Sequence, residues 1–286
     1  MFQIKKRDLL MDIFNNINEF EKFINDPKNK KPERDNSSET GSSWFTGTES
    51  YEQASEFLKY GDADTYKYIK QKQRELKIDK LMGNMINKPK PFNNVVGFQP
   101  NVPLYLNGVP TNMIDNKKNK TDLKIINIFL DVCASARVGA DEIKDAGTMY
   151  ATVIDMLEKS GYRTNLYVGD VSMLGSEKIM YALRIKTDRE PLNLEKMSFP
   201  IANPSMLRRI GFKYMEVCDS NQDFTYHGYG QPYTREDEIK NWFQKYMKTN
   251  MLVFSYQNGT TFTIEDTIKR LKDKGIKIGG EDEWEN

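Results

Sequence analysis

The chain has 286 residues, 29% of them charged, with a formal net charge of +1. That length allows one large domain or two modest ones with a sizeable core, and the charge balance gives no overall electrostatic case for nucleic acid or a membrane surface. Two cysteines make no disulfide framework, and a single histidine leaves zinc sites of the Cys/His type without ligands. No apolar run reaches the ~18 residues of a membrane span, and the first residues lack a small-residue cleavage site. A cytoplasmic location is expected, with no membrane partner.

In chain order, residues 7–24 place Leu10, Ile13, Phe14, Ile17, Phe20 and Phe23 at helical spacing, so residues 1–24 are expected to form an N-terminal amphipathic helix. Residues 25–43 have no apolar anchor and read as a flexible linker. Residues 44–122 read as a helical and proline-rich extension packed on the core. Within it, Ser50 and Gln53 fit a capping box that opens a helix stopped by Gly61. A lysine-rich helix is expected over 64–86. Its Lys67, Lys70, Lys72, Arg74, Lys77 and Lys80 are interrupted by Asp64, Glu75 and Asp79, as on a solvated face. Residues 89–110 hold five of the eleven prolines and predict an irregular, packed segment that covers a sheet edge or shapes a cleft.

Residues 123–278 carry the α/β pattern. A nearly continuous apolar run over 125–132 predicts a strand covered on both faces. A helix over 140–160 closes at Gly161, and strands follow over 163–168 and 179–185. The polar stretch between those strands predicts an antiparallel hairpin at the sheet edge. Two short helices broken by Pro200 and Pro204 come next, then an aromatic loop around His227, a helix over 235–247 and a strand over 251–256. A helix over 263–274 and a short strand over 276–278 complete the core, and 279–286 form an acidic tail.

Candidate chemistry is sparse. The first core strand ends in Asp131-Val-Cys-Ala-Ser135, and Thr187 with Asp188 follows the strand expected at the edge. Hard divalent ions take oxygen ligands, and Cys133 interrupts this set. The loop at 254–259 adds no acid. Arg208 and Arg209 lie together beside a short helix and suit an anion or carboxylate partner, although adjacent helical side chains diverge by about 100°. His227 has no recognisable nucleophile beside it, and the glycines at 139, 147, 169 and 175 do not make a phosphate cradle.

The order strand, helix, strand, antiparallel strand, helices, strand, helix, strand resembles the von Willebrand factor type A fold, whose first strand ends in Asp-x-Ser-x-Ser and holds magnesium. The resemblance implies a Rossmann-like, mostly parallel sheet with flanking helices and a helical or irregular N-terminal extension. With Cys133 in the middle position it implies a degenerate metal site at Asp131, Ser135 and Thr187, holding no metal. The motifs Trp44-Phe-Thr-Gly-Thr-x-Ser50, residues 101–113 and Asn203-Pro-Ser-Met-Leu-Arg-Arg-Ile-Gly-Phe212 resemble an uncharacterised family of phage and prophage proteins.

The expectation is a non-enzymatic, phage-encoded interaction scaffold in the host cytoplasm, without catalytic residues or cofactor. It would engage a protein partner, of phage or host origin or an AAA-type ATPase, through Asp131, Ser135, Thr187, Arg208 and Arg209. The alternatives are a nucleic-acid-binding factor in replication or packaging, and a virion component.

Overall fold

The computed structural model describes residues 1–76, 91–116, 124–222, 224, 228–229, 231–256, 264–273 and 275–276. The body is built on a mixed, mostly parallel sheet. Its strands are β1 (Phe2–Lys6), β2 (Leu9–Phe14), β6 (Ile125–Asp131), β7 (Arg163–Leu174), β8 (Glu177–Lys186), β9 (Gln231–Pro232) and β10 (Met251–Ser255). The order is β1-β2-β8-β7-β6-β10, with β9 added beside β7. β6 is parallel to both β7 and β10, β2 is parallel to β8, and β7 and β8 are antiparallel. This is an α/β fold, and the apolar run of β6 takes the centrally covered position that its composition predicts.

On one face lie α3 (Tyr51–Tyr60), α4 (Ala63–Glu75), α6 (Ala140–Lys159) and α7 (Leu194–Ala202), which enclose the larger core. The opposite face carries a smaller core closed by α9 (Glu236–Trp242), where Ile239 and Phe243 pack with Leu9, Met11, Phe129 and Val253. Gly147 lets α6 touch α7: a Cβ there would lie 2.3 Å from the Ile201 carbonyl oxygen and 2.4 Å from Ala202 Cα.

Several expectations change. The N-terminal amphipathic helix survives only as α1 (Ile17–Ile24), capped by Asn16, whose Oδ1 accepts from the Glu19 amide at 2.9 Å. Residues 2–14 form the β1–β2 hairpin instead. Every position of β2 is buried; Leu9, Met11 and Ile13 enter one core and Leu10 and Phe14 the other. Apolar residues three and four apart suit a two-sided strand as well as a helix, and tertiary burial decided between them.

The β7–β8 pair is not at the edge, because β2 docks on the far side of β8. Its connection is a tight turn at Gly175 (φ 58°), so the stretch read as a polar loop is strand on both sides. Pro200 lies inside α7 and does not break it.

Residues 25–43 are tied down by polar bonds that a count of apolar anchors misses. Arg34 donates to the carbonyls of Met215, Cys218 and Ser220 at 2.8–3.0 Å, and its guanidinium lies 4.1 Å from the Phe224 ring centre. Ser38 is fully buried and gives its amide and hydroxyl to Glu216, each at 2.8 Å.

The proline-rich segment stands apart from the cores. It forms a three-stranded antiparallel sheet of β3 (Pro91–Asn94), β4 (Gln99–Pro100) and β5 (Met113–Asn116) in the order β3-β5-β4, with the short α5 (Val102–Leu106) between β4 and β5. It is closed by its own bonds, Phe98 amide to Ile114 carbonyl at 3.0 Å and Asn101 amide to Asn112 carbonyl at 2.7 Å. No residue over 91–115 is buried, so this arm covers no cleft among the described residues.

Candidate functional site

The five residues expected to form one surface do not meet. Asp131 ends β6 fully buried. Its Oδ1 accepts the amides of Cys133 at 3.0 Å and Val171 at 3.2 Å, and its Oδ2 accepts the Ser255 hydroxyl at 3.3 Å. Ser135 uses its hydroxyl inside its own turn, accepting the Arg137 amide at 3.4 Å.

Thr187 follows Lys186, which pairs with Leu166 near the start of β7, whereas Asp131 pairs with Gly169 further along. Because β8 runs antiparallel to β7, its carboxyl end lies toward the start of β7, on the other side of β7 from Asp131. Thr187 therefore belongs to no common site with Asp131 and Ser135.

Arg208 and Arg209 lie in the π-helical turn Met206–Gly211 and are both buried. Arg208 donates to the carbonyls of Phe45 and Val138 and stacks on the Phe45 ring at 3.8 Å. Arg209 donates to Thr48 Oγ1 and the Thr48 carbonyl, each at 2.9 Å, to the Ser38 carbonyl at 3.1 Å and to the Glu49 carbonyl at 3.2 Å. Burial lowers both guanidinium pKa values, that of Arg208 to about 10. The pair fastens the 38–49 strap to the body and offers no anion site. The motif Asn203 to Phe212 is thus a structural clamp, with Ser205 donating to the Thr46 carbonyl.

A different constellation does converge. Donor atoms of Asp131, Cys133 and Asp170 all lie within 4.8 Å of one another, and all three residues are buried. Asp170 belongs to the longer β7 and accepts the Ser172 hydroxyl at 2.7 Å, while Cys133 Sγ lies 3.4 Å from Ser172 Oγ.

Burial, reinforced by the neighbouring Asp170, holds the Asp131 carboxyl well above the ordinary carboxylate range. Burial raises Asp170 against the bonds from Ser172 and Cys133, and burial with Asp170 and Asp131 raises the Cys133 thiol. Asp170 escapes sequence reasoning because it looks like a turn residue when the strand is ended at Val168. The alternation Val168, Asp170, Ser172, Leu174 was the available signal.

These residues do not fit the magnesium arrangement. Of its expected oxygen ligands, Ser135 is used within its own turn and Thr187 is remote, which leaves Asp131, and the middle-serine position is the thiol of Cys133. His227, Lys77, Lys80 and the acid-free loop after Tyr256 lie outside the described residues. No described helix is long and apolar enough to cross a membrane.

The second candidate is the arm. Phe92, Val95, Val96, Phe98, Val102, Tyr105 and Leu106 are 38–77% exposed, and Asp115 is the one charged residue over 91–116. Side chains of this size at such exposure present roughly 700–800 Å², about what one partner contributes to a standard protein interface.

Fold and site define an α/β protein with a buried acidic core and an exposed apolar arm. The chain belongs to the family described as Domain of unknown function (DUF7192), which it matches over residues 4–275. No curated protein and no solved structure matches it.

Proposed function

We propose that this protein is a non-enzymatic interaction scaffold that self-assembles through the arm, two or more copies pairing their 91–116 segments. The observation that carries this reading is a folded three-stranded sheet without one buried residue over 91–115. A small sheet with no core of its own is marginal in water, and exposed apolar area on this scale marks a protein interface.

The arm is nearly uncharged while 29% of the whole chain is charged, so the body is a poor complement for it. Other exposed large apolar residues, among them Trp44, Tyr60 and Met173, are scattered. The surface on this chain that matches the arm is the arm of a second copy, and β3 and β4 present free strand edges for pairing.

The body fits the reading as a von Willebrand factor type A-like scaffold that lacks the magnesium ligand set of that fold. Its β6, α6, β7, antiparallel β8 and parallel β10 follow that element order, with the β1–β2 hairpin added at one edge. A phage-encoded protein of the host cytoplasm, or a virion component, is the setting in which such self-assembly has a use. The nucleic-acid alternative loses support, since Arg208 and Arg209 are spent inside the protein and Lys67 pairs with Asp64 and Lys72 with Glu75.

Sedimentation of the full chain over the micromolar range tests the proposal. The native chain is expected to associate, and V96D with L106D to weaken association on the order of tenfold or more, because each places an unpaired charge in the contact. A native chain that stays monomeric throughout, or an unchanged association in the double variant, would sink it.

A further inference from the structure

We infer that Asp131, Cys133 and Asp170 form a closed binding site for one divalent ion of the zinc class, with Tyr181 beside it. The inference is independent of the arm. Three acidic side chains with donor atoms within 4.8 Å of one another lie buried together, and no hydrogen bond or ion pair from a lysine or arginine reaches them among the described residues. A cation is the compensation such a group lacks.

A second observation points to the same place. Tyr181 is fully buried, stands opposite Asp170 in the β7–β8 register, and its hydroxyl has no hydrogen-bond partner among the described residues. Gly211 brings the two together: a Cβ there would lie 3.3 Å from Tyr181 Oη and 3.8 Å from Asp170 Oδ2, so the hydroxyl lies near the Asp170 carboxyl. An orphaned buried hydroxyl beside three acids is what remains when the group that holds them together is taken away.

The donor set selects the ion. Thiolate sulfur binds zinc and cobalt far better than magnesium or calcium, and two carboxylates with one thiolate supply three of the four positions of a tetrahedral site. Asp131 takes its two backbone amides on Oδ1 and Asp170 takes the Ser172 hydroxyl on Oδ1, which leaves Oδ2 of each as the less committed oxygen. A dication there releases the protons that burial otherwise keeps on these groups. Ser135 and Thr187 take no part, so this differs in ligands and in ion from the magnesium arrangement that the Asp-x-x-x-Ser spacing suggested.

Cobalt(II) added to the full, chelator-treated chain provides the test. Expected are a cobalt–thiolate charge-transfer band that saturates at one ion per chain, loss of the band in C133S, and its retention in C218S, whose thiol lies elsewhere. Zinc is expected to raise the melting temperature where equal magnesium does not. D170N, folded by circular dichroism, should weaken cobalt binding at least tenfold, which covers the case in which C133S fails to fold. Absence of the band in folded native protein, a band that survives C133S, or equal shifts with zinc and magnesium would each overturn the site and leave an ordered water as the partner of Tyr181.

Discussion

Asp12 shows what a buried residue without full compensation does to a fold. It sits mid-strand in β2, fully buried; Tyr214 donates to its Oδ2 at 2.9 Å, and its Oδ1 is without a close hydrogen bond among the described residues. Burial pushes its carboxyl up to about 6, against bonds from Gln3 and Tyr214. Asp219, the Lys5 that it pairs with at 2.6 Å, and Tyr181 across the β2–β8 register complete the surroundings. Below the ordinary value of 3.8 the residue is protonated folded or unfolded and has no effect on the balance. Between 3.8 and about 6 the unfolded chain ionises first, so stability falls as pH rises through that window, by about 3 kcal/mol in all. D12N removes this term. Urea melts from pH 4 to pH 7 should show the variant gaining on the native chain by about that amount. A pH-independent difference between the two would contradict it.

Arg209 lives at the same scale. Its planar fork reaches carbonyls of residues 38, 48 and 49 at once, which a lysine ammonium cannot reproduce. The doublet Arg-Arg was legible as special in the sequence. Its direction was not, because the acceptors are backbone carbonyls of residues about 160 to 170 positions earlier, and carbonyls carry no sequence signature.

Among the elements, the contact between α6 and α7 rests on Gly147. Alanine normally favours a helix interior over glycine by about 1 kcal/mol, so an isolated α6 would gain from G147A. In the folded protein the added methyl meets the Ile201 carbonyl and Ala202 Cα, which are backbone and cannot swing aside. The expected outcome is a loss of about 1–3 kcal/mol in thermal or urea melts. A neutral or stabilised variant would mean that the helices part easily.

The elements of the α/β core were the readable ones. β6, α6 and α9 lie where periodicity puts them, since each has length and a single dominant pattern. The N-terminal hairpin departs from the helical reading because β2, buried on both faces, lacks the alternation that identifies a strand. The extension of β7 through Asp170 was misread because buried polar residues imitate a loop.

For the molecule as a whole, body and arm are expected to be separate in stability. Pro91 and Asn116 pair in register, so the ends of the arm lie side by side and a short glycine-serine link can replace 91–116 without stretching the body. No residue of 91–115 is buried, so this excision is expected to shift the melting temperature of the body by no more than about 2 °C, while abolishing association. A large fall in melting temperature would show that the arm is part of the cooperative unit.

The sequence by itself determined the α/β class, the central strand, the long crossover helix and the lack of a strong catalytic motif, because these depend on local pattern and composition. Tertiary structure alone decided the fate of the singled-out side chains. It put Thr187 at the other end of its strand pair from Asp131, turned Arg208 and Arg209 inward, joined Asp170 to Cys133, and left the proline-rich segment bare. Each of those outcomes rests on contacts between residues far apart in the chain, and burial and register are properties of the assembled sheet that no local stretch encodes.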